Sequence, residues 1–554
     1  MRRRVSATRF PPCVSRPRAR PVPDSATVQD VRNLADLVRR AAERDADRPA
    51  LRWHGSVLTW GELDAQVDAV ASALRALPGA GGEPGGVPPR IAIALPNVPE
   101  FAAAYFGTLR AGLVAVPVNP GYTARELRHI LADSLALGLI GGPAVLDAAG
   151  HDPSGTLRHM FALGEARGPA PSGRRSFAEL LAGSGDAAGR TTGGEDLAAL
   201  LYTSGTSGSP KGAMLSHRAL IANHAQLAEV EPPPMGPDDV VLLTLPLFHS
   251  YGLNTGLGAV AYHGACGVLL ERFDPADALN QVVRHRVSTV IGVPPMFVAW
   301  SLMGERLAAA WSGVRVAVCG AAPLDPDTAR RFAAAAGRPI YEGYGLTETA
   351  PVLTTTLGVE KPKTGSIGRP LPGVDLRLVD ANGEDVRADE DDEDDDVPGT
   401  PGTDPGEIVA RGPNLFSGYW PDGQGGPDAD GWWPTGDVAY ADADGDLFLV
   451  DRLGELIIVS GFNVYPSEVE QVLAAHPQVE EAAAVGVPHP YTGQTVKVYV
   501  VRTADATVTS EELIAYCERG LARFKCPTAV DFVPSLPKST TGKVRKSELE
   551  RIYG

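Results

Sequence analysis

One segment of the chain combines glycine, hydroxyl and lysine residues in a pattern that suits phosphate binding. Residues 200–215 read LLYTSGTSGSPKGAML, and we predict a strand before the loop and a helix from about His217. Glycines let backbone N–H groups turn inward and hydroxyls add donors, so such a loop can bind an anion. Lys211 adds a positive charge. The loop is not a Walker A loop, GxxxxGK[ST], because Pro210 stands where that motif has glycine.

Seven further segments together combine small residues and turns with charged residues. The small residues Gly320, Ala321 and Ala322 leave room for a flat ring against the backbone, and Glu348 and Asp437 follow Gly-rich turns. In chain order the segments are LPLFHSYGL (245–253), VCGAAPL (318–324), YEGYGLTETAP (341–351), WPTGD (433–437), DRLG (451–454), LIIVSGFNVYPSEVE (456–470) and LPKSTTGKVR (536–545).

The loop YTSGTSGSPKG and the seven segments, in this order, resemble the core motifs of the adenylate-forming superfamily. That superfamily contains acyl-CoA synthetases, aryl-CoA ligases, beetle luciferases and peptide-synthetase adenylation domains, and the resemblance covers roughly residues 30–550. It implies an enzyme that activates a carboxylic acid with ATP as acyl-AMP, releases pyrophosphate, and transfers the acyl group to coenzyme A. It also implies Mg²⁺.

The resemblance implies roles for individual residues around ATP. Tyr344 would stack on adenine, Thr347 would bond the α-phosphate, and Asp437 would accept bonds from both ribose hydroxyls because an ionised carboxylate is acceptor-only. Glu348 with Thr203 would hold Mg²⁺, which usually binds one or two carboxylates plus substrate phosphates. The implied ATP- and AMP-binding set is Thr203, Ser204, Gly205, Thr206, Ser207, Gly208, Lys211, Gly320, Ala321, Ala322, Gly343, Tyr344, Gly345, Asp437 and Arg452.

Four residues are the implied catalytic set. Lys543, just after a glycine turn, would bridge the carboxylate and phosphate oxygens during adenylation. His249 would border the carboxylate pocket and control access to it. Thr347 and Glu348 complete the set.

The resemblance also implies a hinge and a loop used in the coenzyme A step. Arg452 and Gly454 would form the hinge, and Ser460 and Gly461 would lie in the loop. The chain departs from the family at two of these sites. Many members have Lys or Asp where Gly454 stands, and many have Gly where Ala321 stands.

The acid itself is the least determined part of the prediction. The form of residues 456–470 resembles bacterial fatty acyl-CoA synthetases more than aryl-CoA ligases, so we expect a medium- or long-chain fatty acid. Alternatives are an aryl- or short-chain-carboxylate CoA ligase, a stand-alone adenylating enzyme that loads a carrier protein, and a non-catalytic acyl-nucleotide-binding protein. The predicted pocket residues are His249, Val293, Phe297 and Gly320.

The elements that must position these residues alternate between strand and helix. A strand at Arg90–Leu95, a helix at Pro99–Ala111 and a strand at Leu113–Val118 form a βαβ unit, which predicts a parallel sheet. Short strands with turns follow residue 365, and an α+β pattern begins at Glu468. We predict an α/β protein with a large N-terminal domain of parallel-sheet and β-rich subdomains, and a small mobile α+β C-terminal domain.

Composition places limits on partners and on domain boundaries. The 554 residues carry a net charge of −17, which argues against nucleic-acid binding. We predict a disordered basic tail over 1–27, an AMP-binding domain over 28–451 with an acidic loop at 384–405, and a C-terminal domain over 452–554. Both charge-biased segments lie outside every motif.

Cysteine usage and hydropathy suggest a compartment. The five scattered cysteines form no CxxC pair, which favours a reducing, cytoplasmic location. No apolar run reaches 18 residues, so we expect no transmembrane helix. The sequence leaves peripheral membrane contact and oligomeric state open. One further match, GLGAVA at 256–261, fits the dinucleotide pattern GxGxxA but opens no clear βαβ unit, so we do not assign it.

Overall fold

The structure is a computed structural model that describes most of the chain. The described residues are 31–82, 86–150, 155–164, 174–183, 192–203, 210–359, 361–386, 402–459, 462–489, 492–539 and 543–553. The predicted basic tail and most of the acidic loop lie outside them. So do Ser204, Gly205, Thr206, Ser207 and Gly208 of the phosphate loop, and Ser460 and Gly461.

The helices occur throughout the chain, and none within the described residues is long and apolar enough to cross a membrane. The α-helices are α1 Asp36–Arg44, α2 Trp60–Arg75, α3 Pro99–Arg110, α4 Ala124–Asp133, α5 Pro143–Ala149, α6 Phe177–Leu181, α7 His217–Ala228, α8 Ala259–His263, α9 Pro275–His285, α10 Pro294–Ser301, α11 Glu305–Trp311, α12 Pro326–Ala336, α13 Pro466–Ala474, α14 Ser510–Cys517 and α15 Lys546–Tyr553. A π-helix, Tyr251–Gly258, runs into α8, and 3₁₀ turns span Thr347–Thr349, Leu453–Glu455 and Arg523–Lys525.

The strands alternate with these helices up to α12 and then follow one another closely. They are β1 Pro49–Trp53, β2 Ser56–Thr59, β3 Arg90–Ala94, β4 Val114–Pro117, β5 Ala136–Gly141, β6 His159–Ala162, β7 Arg174–Ser176, β8 Leu197–Thr203, β9 Lys211–Ser216, β10 Val240–Leu243, β11 Cys266–Leu269, β12 Thr289–Gly292, β13 Val316–Cys319, β14 Tyr341–Gly345, β15 Val352–Thr355, β16 Ser366–Pro370, β17 Asp375–Val379, β18 Gly406–Arg411, β19 Trp433–Ala441, β20 Leu447–Arg452, β21 Ile457–Val459, β22 Phe462–Val464, β23 Val479–His489, β24 Gly493–Arg502 and β25 Ala529–Phe532.

These strands form three sheets. The largest has the order β17-β18-β19-β20-β16-β15-β14-β13-β12-β10-β11-β1-β2; its strands β14, β13, β12, β10, β11 and β1 run parallel. A second sheet, β7-β6-β5-β3-β4-β8-β9, is parallel except for the pair β8 and β9. The third, β22-β21-β24-β23 with β25 beside β24, lies in the C-terminal part. The predicted fold class is confirmed.

Local sequence explains why the elements form where they do. Strands β12 and β13 are buried along their whole length, as expected for parallel strands covered on both faces. Helices α2 and α4 begin with capping boxes, in which Thr59 pairs with Glu62 and Thr123 with Glu126. These features fix where the helices begin and place the parallel strands in the core.

The parallel strands bring separate motifs to one edge of the large sheet. Strands β10, β12 and β13 run in the same direction, so their carboxyl ends meet there. Residues 245–253 follow β10 and residues 320–322 follow β13. Ligands of open α/β sheets bind at such carboxyl ends.

One element differs from the sequence prediction. Between the phosphate loop and α7 the chain forms β9, which pairs antiparallel with β8 and places Lys211 opposite Thr203. The helix does begin at His217 as predicted. Strands β8 and β9 therefore pair on either side of the phosphate-loop residues, and the residues Lys-Gly-Ala-Met-Leu-Ser do not reveal this pairing by themselves.

Candidate active site

A cavity of about 1620 Å³ lies at the carboxyl ends of β10, β12 and β13 and extends to the C-terminal segment around Lys543. It gathers predicted site residues from distant parts of the chain. Those that line it are Thr203, Lys211, His249, Gly320, Ala321, Gly343, Tyr344, Gly345, Thr347, Glu348, Asp437 and Lys543. Nucleotide, metal and acid residues predicted from separate motifs thus share one space.

Three predicted residues lie elsewhere. Ala322 and Val293 are not among the residues that line the cavity, and Phe297 is fully buried in the core. The Phe297 ring packs edge-on against Trp300 and Phe332, with ring centroids 5.8 and 5.3 Å away. On the β12 side the cavity wall is formed by Thr289 and Ile291.

The predicted hinge follows β20, which lies between β19 and β16 in the large sheet. Arg452 is the last residue of β20, and its Cα pairs with that of Asp437 on β19. Gly454 lies in the 3₁₀ turn Leu453–Glu455. The predicted hinge therefore begins directly beside Asp437, the residue predicted to bind ribose.

Tyr344 and Asp437 are joined by a hydrogen bond. The Tyr344 hydroxyl donates to Asp437 Oδ2 at 2.7 Å, and both residues are buried. Tyr344 comes from β14 and Asp437 from β19, so the bond links two strands of the large sheet that are not neighbours. The bond orients the Asp437 carboxylate within the cavity, where this carboxylate can accept hydrogen bonds from hydroxyl groups of a ligand.

Glu348 is held by a residue that the sequence motifs did not reveal. The Tyr419 hydroxyl donates to Glu348 Oε1 at 2.7 Å, and Lys211 Nζ lies 5.4 Å from the Tyr419 ring centroid. Tyr419 is in place because its segment pairs with β9: Met214 donates to the Gly418 carbonyl and Trp420 donates to the Gly212 carbonyl. No local pattern signals this pairing across some two hundred residues.

The residues predicted to bind Mg²⁺ offer suitable donors. Glu348 supplies a buried carboxylate and Thr203 a hydroxyl, and both line the cavity. This oxygen set fits Mg²⁺, which usually binds one or two carboxylates together with substrate phosphates and water.

A second group of carboxylates is already paired. Within the described residues one trio of acids, Asp442, Asp444 and Asp446, is close enough to hold a metal. Lys363 Nζ lies 2.6 Å from Asp444 and 3.3 Å from Asp446, and it also contacts Asp442. An ammonium therefore occupies the centre of this group, which we interpret as an ion-pair network.

His249 is an uncharged residue in this structure. Burial lowers the pKa of His249 to about 4, and its Nδ1 accepts a hydrogen bond from the Tyr251 backbone N–H at 3.3 Å. The next residue, Ser250, contacts Thr347, with 3.3 Å between the two hydroxyl oxygens. A neutral imidazole thus borders the cavity, and the residue that follows it in the chain contacts Thr347, which is predicted to bind the α-phosphate.

The glycine and alanine after β13 are shaped by close contacts. A Cβ on Gly320 would lie 3.0 Å from Cζ and from the hydroxyl oxygen of Tyr251, so a side chain at this position would require Tyr251 to shift. Ala321 has a φ of 70°, in the left-handed region that favours glycine. The departure from the family at Ala321 is therefore a strained alanine.

Lys543 lies at the base of a short hairpin. The Ser539 backbone N–H donates to the Lys543 carbonyl at 2.7 Å, and the Lys543 N–H donates to Ser539 Oγ at 3.1 Å. Lys538 and Val544 form a β-bridge beside them. These bonds fix the backbone from which the Lys543 side chain extends.

A half-buried ion network connects this hairpin to the predicted hinge. Lys546 Nζ lies 2.8 Å from Glu470 Oε1 and 3.1 Å from Glu455 Oε2. Burial alone would lower the pKa of Lys546, but Glu470 and Glu455 raise it above the usual value, so the ammonium stays charged. Lys546 thus ties the Lys543 segment to α13 and to the 3₁₀ turn at the hinge. Sequence reasoning missed it because an isolated lysine carries no signal.

Comparison with known proteins identifies the family. The profile of the AMP-binding enzyme family matches residues 38–420, and that of the AMP-binding enzyme C-terminal domain matches residues 468–543. This chain belongs to the AMP-binding enzyme family. The predicted membership in the adenylate-forming superfamily, within its acyl-CoA synthetases, is confirmed.

Individual relatives of this AMP-binding enzyme align over nearly its whole length. It is 34% identical to the long-chain-fatty-acid–CoA ligase of Yersinia pestis, covering 93% of this chain and 94% of the relative. It is 36% identical to a feruloyl-CoA synthase of Amycolatopsis sp, covering 93% and 98%. Among solved structures, ATP-bound MatB from Rhodopseudomonas palustris is similar, with 32% identity, a TM-score of 0.82, and coverage of 94% and 99%.

The strain at Ala321 is expected to lower the free energy of unfolding of the protein. Ala321→Gly should raise the free energy of unfolding by up to about 1 kcal/mol, because relief of roughly 1–2 kcal/mol of left-handed strain exceeds the entropy that glycine adds to the unfolded chain. Ala322→Gly, at an ordinary φ, is the matched control and should lose roughly 0.5–1 kcal/mol. Calorimetric unfolding checks both, and destabilisation by Ala321→Gly would contradict the strain.

The Lys546 network is expected to support adenylation through Lys543. Lys546→Met should slow ATP–pyrophosphate exchange by about 100-fold, since a displacement of about 1 Å in a catalytic group has that effect. Thioester formation from supplied acyl-AMP should change little, and Lys546→Arg should retain exchange. Lys538→Met, which removes an exposed ion pair with Glu481, is the control. Undiminished exchange in Lys546→Met would show that the network has no positioning role.

Proposed function

We propose that this protein is an ATP-dependent acyl-CoA ligase. It joins a carboxylic acid to ATP to form acyl-AMP and pyrophosphate, and then transfers the acyl group to coenzyme A with release of AMP. The observation that carries the proposal is the shared cavity in which Lys543, Lys211, Glu348 and the Tyr344–Asp437 pair come together. The family membership and the ligase names of its relatives support it.

The first step has to make a carboxylate into an acyl donor. A carboxylate is a poor donor because oxide would have to leave, whereas AMP is a good leaving group. Attack on the α-phosphorus brings anions together, and positive charges placed in advance stabilise the transition state. Lys211 and Lys543 are the lysines of the cavity suited to this, and Mg²⁺ held by Glu348 and Thr203 would neutralise further phosphate charge.

The nucleotide is oriented by groups on two strands. Asp437 accepts hydrogen bonds from the ribose hydroxyls, and its bond to Tyr344 fixes the orientation of the carboxylate. The Tyr344 ring lies against adenine. Gly320 and Ala321 offer a flat backbone surface for the other face of adenine. The anhydride then forms in a cavity whose wall includes the Lys543 segment, so water has limited access to it.

The second step requires a rearrangement of the C-terminal part. Rotation about Arg452–Gly454 would withdraw Lys543 and bring residues 456–466 towards the site, which gives the thiol of coenzyme A access to the acyl adenylate. Attack of the thiol sulfur on the acyl carbon forms the thioester and releases AMP.

The substrate we propose is a medium- or long-chain fatty acid, on the form of residues 456–470 and the names of relatives such as the Yersinia pestis ligase. An aryl acid is the second candidate, favoured by the feruloyl-CoA synthase relative and by polar groups in the cavity. A further alternative concerns the acceptor of the second step: a carrier protein would take the acyl group in place of coenzyme A.

The role of Lys543 separates the two half-reactions. Lys543→Ala should lower acyl-adenylate formation by about 10²–10³-fold, since it removes a positive charge at the transition state. Thioesterification from supplied acyl-AMP should remain largely intact. ATP–pyrophosphate exchange and thioester assays check the two steps, with Lys538→Ala as the control. Equal loss in both half-reactions would contradict the proposed role.

A panel of acids tests the proposed function as a whole. ATP–pyrophosphate exchange with saturated acids of increasing length and with benzoate and cinnamate derivatives gives the substrate class, and added coenzyme A should then give the thioester. The absence of exchange with every acid would favour a non-catalytic binding protein. Exchange without thioester formation would favour a carrier-protein acceptor.

A further inference from the structure

The turn that carries Asp437 is held by a carboxylate from the neighbouring strand. Glu407, the second residue of β18, accepts a hydrogen bond at Oε1 from the Gly436 backbone N–H, with 3.0 Å between the two atoms. Glu407, Gly436 and Asp437 all line the cavity. Asp437 is the residue proposed to bind ribose, whereas no step of the proposed reaction uses Glu407.

The backbone pairing between β18 and β19 is interrupted where this turn lies. Glu407 pairs with Val438 and Val409 pairs with Pro434, so Ile408 alone stands opposite residues 435–437. Extra residues of this kind leave the ladder unpaired locally, and next to active sites they re-aim a side chain. The position of residues 435–437 must therefore be fixed by bonds other than those of the ladder.

The turn also contains a residue in an uncommon conformation. Gly436 has a φ of 76°, in the left-handed region, and a Cβ on it would meet no atom within 4 Å. Glycine is therefore favoured here by the backbone conformation and not by a lack of space. Because glycine is conformationally permissive, a turn built on it needs further bonds to keep one arrangement.

Two side chains supply those bonds. The Gly436 N–H donates to Glu407, and the next N–H, that of Asp437, donates to Thr435 Oγ1 at 3.1 Å. The Thr435 hydroxyl in turn donates to the Ile408 carbonyl at 2.9 Å. Both routes end on β18, so that strand determines where the backbone of Asp437 lies.

The Asp437 carboxylate is thus supported from two directions. The Tyr344 hydroxyl donates to its Oδ2 at 2.7 Å, and the bond from Gly436 to Glu407 holds the backbone just before it. Hydrogen bonds weaken steeply when their distance or angle departs from the preferred geometry. A shift of the Asp437 backbone would therefore weaken bonds to a ribose even with Tyr344 in place.

We propose that Glu407 is a positioning residue for nucleotide recognition: it holds the Gly436 N–H, places the Asp437 carboxylate against both ribose hydroxyls, and so sets how strongly the protein prefers a ribonucleotide. The inference rests on the proposed ligase function and adds a residue to its nucleotide site. A carboxylate suits this task, since a charge-assisted bond to a backbone N–H is roughly twice as strong as a neutral one.

A nucleotide without ribose hydroxyls measures the effect. ATP and 2′,3′-dideoxy-ATP are compared by the kcat/KM of pyrophosphate release, with the acid that gives the fastest exchange. The wild-type protein should prefer ATP by about tenfold or more, because the dideoxy nucleotide loses its bonds to an ionised carboxylate. Asp437→Ala should bring this ratio close to one. A wild-type ratio near one would overturn the inference while leaving the ligase function intact.

Variants of Glu407 then assign part of the preference to this residue. Glu407→Met removes the acceptor at nearly constant length and should lower the ratio about threefold or more, mainly through a higher KM for ATP. Glu407→Gln keeps an acceptor oxygen for the Gly436 N–H and should retain most of the ratio. Asp380→Leu is the matched control: Asp380 Oδ1 accepts the N–H groups of Asn382 and Glu384 in a turn outside the cavity, so the ratio should not change.

A double variant tests whether Glu407 acts through Asp437. Glu407→Met should lower the kcat/KM for ATP in the wild-type background but have little further effect in Asp437→Ala, because the losses from residues that act together are not additive. Additive losses in the double variant would show that Glu407 acts elsewhere and would overturn the positioning role.

Failure of the inference differs from failure of the ligase function. No pyrophosphate release with any acid overturns the ligase function, and this inference with it. A wild-type ratio that persists in Glu407→Met, or a ratio in Glu407→Gln as low as that of Glu407→Met, overturns the role of Glu407 alone. Should Glu407→Met fail to fold, Glu407→Ser, whose side chain is too short to reach Gly436, decides the question in the same assay.

Discussion

The hydrogen bond from Tyr419 to the buried carboxylate of Glu348 connects the parts of the site that must act together. A carboxylate taken out of water is costly unless it is hydrogen-bonded, so Glu348 depends on this donor until a cation arrives. Tyr419 depends in turn on backbone pairing between its segment and β9, the strand that begins with Lys211. Strand β9, the predicted metal ligand Glu348 and the sheet that carries Tyr344 are thereby held in one arrangement.

The cavity joins two regions of different electrostatic character. The proposed nucleotide region includes the charged residues Lys211, Lys543 and Asp437, which suit phosphates and ribose. The cavity wall also contains neutral imidazoles, because burial lowers the pKa of His249 to about 4 and that of His224 to about 3. The overall net charge of −17 therefore says little about the ligands, since the substrate anions meet local groups rather than a general field.

Sequence predicted those features that depend on short segments. The βαβ pattern predicted the fold class, and residues such as Lys211 and Glu348 lie in motifs whose chemistry is local. Tyr419 and Lys546 were missed because their roles come from partners far away in the chain. Phe297 follows a buried strand as a pocket residue could, yet it packs into an aromatic core. The glycines of the dinucleotide-like GLGAVA segment belong to the π-helix, where a Cβ on Gly258 would lie 2.8 Å from Asn254 Oδ1 and 2.9 Å from His224 Nε2.

The fate of the carboxylate oxygen tests the adenylate route most directly. With an acid labelled with ¹⁸O in both carboxylate oxygens, ATP and coenzyme A, the reaction should place one ¹⁸O atom in AMP, because the carboxylate attacks the α-phosphorus and its oxygen stays with phosphorus when the thiol displaces AMP. Mass spectrometry of the AMP measures this. AMP without label, or label in pyrophosphate or inorganic phosphate, would contradict formation of an acyl adenylate in this cavity.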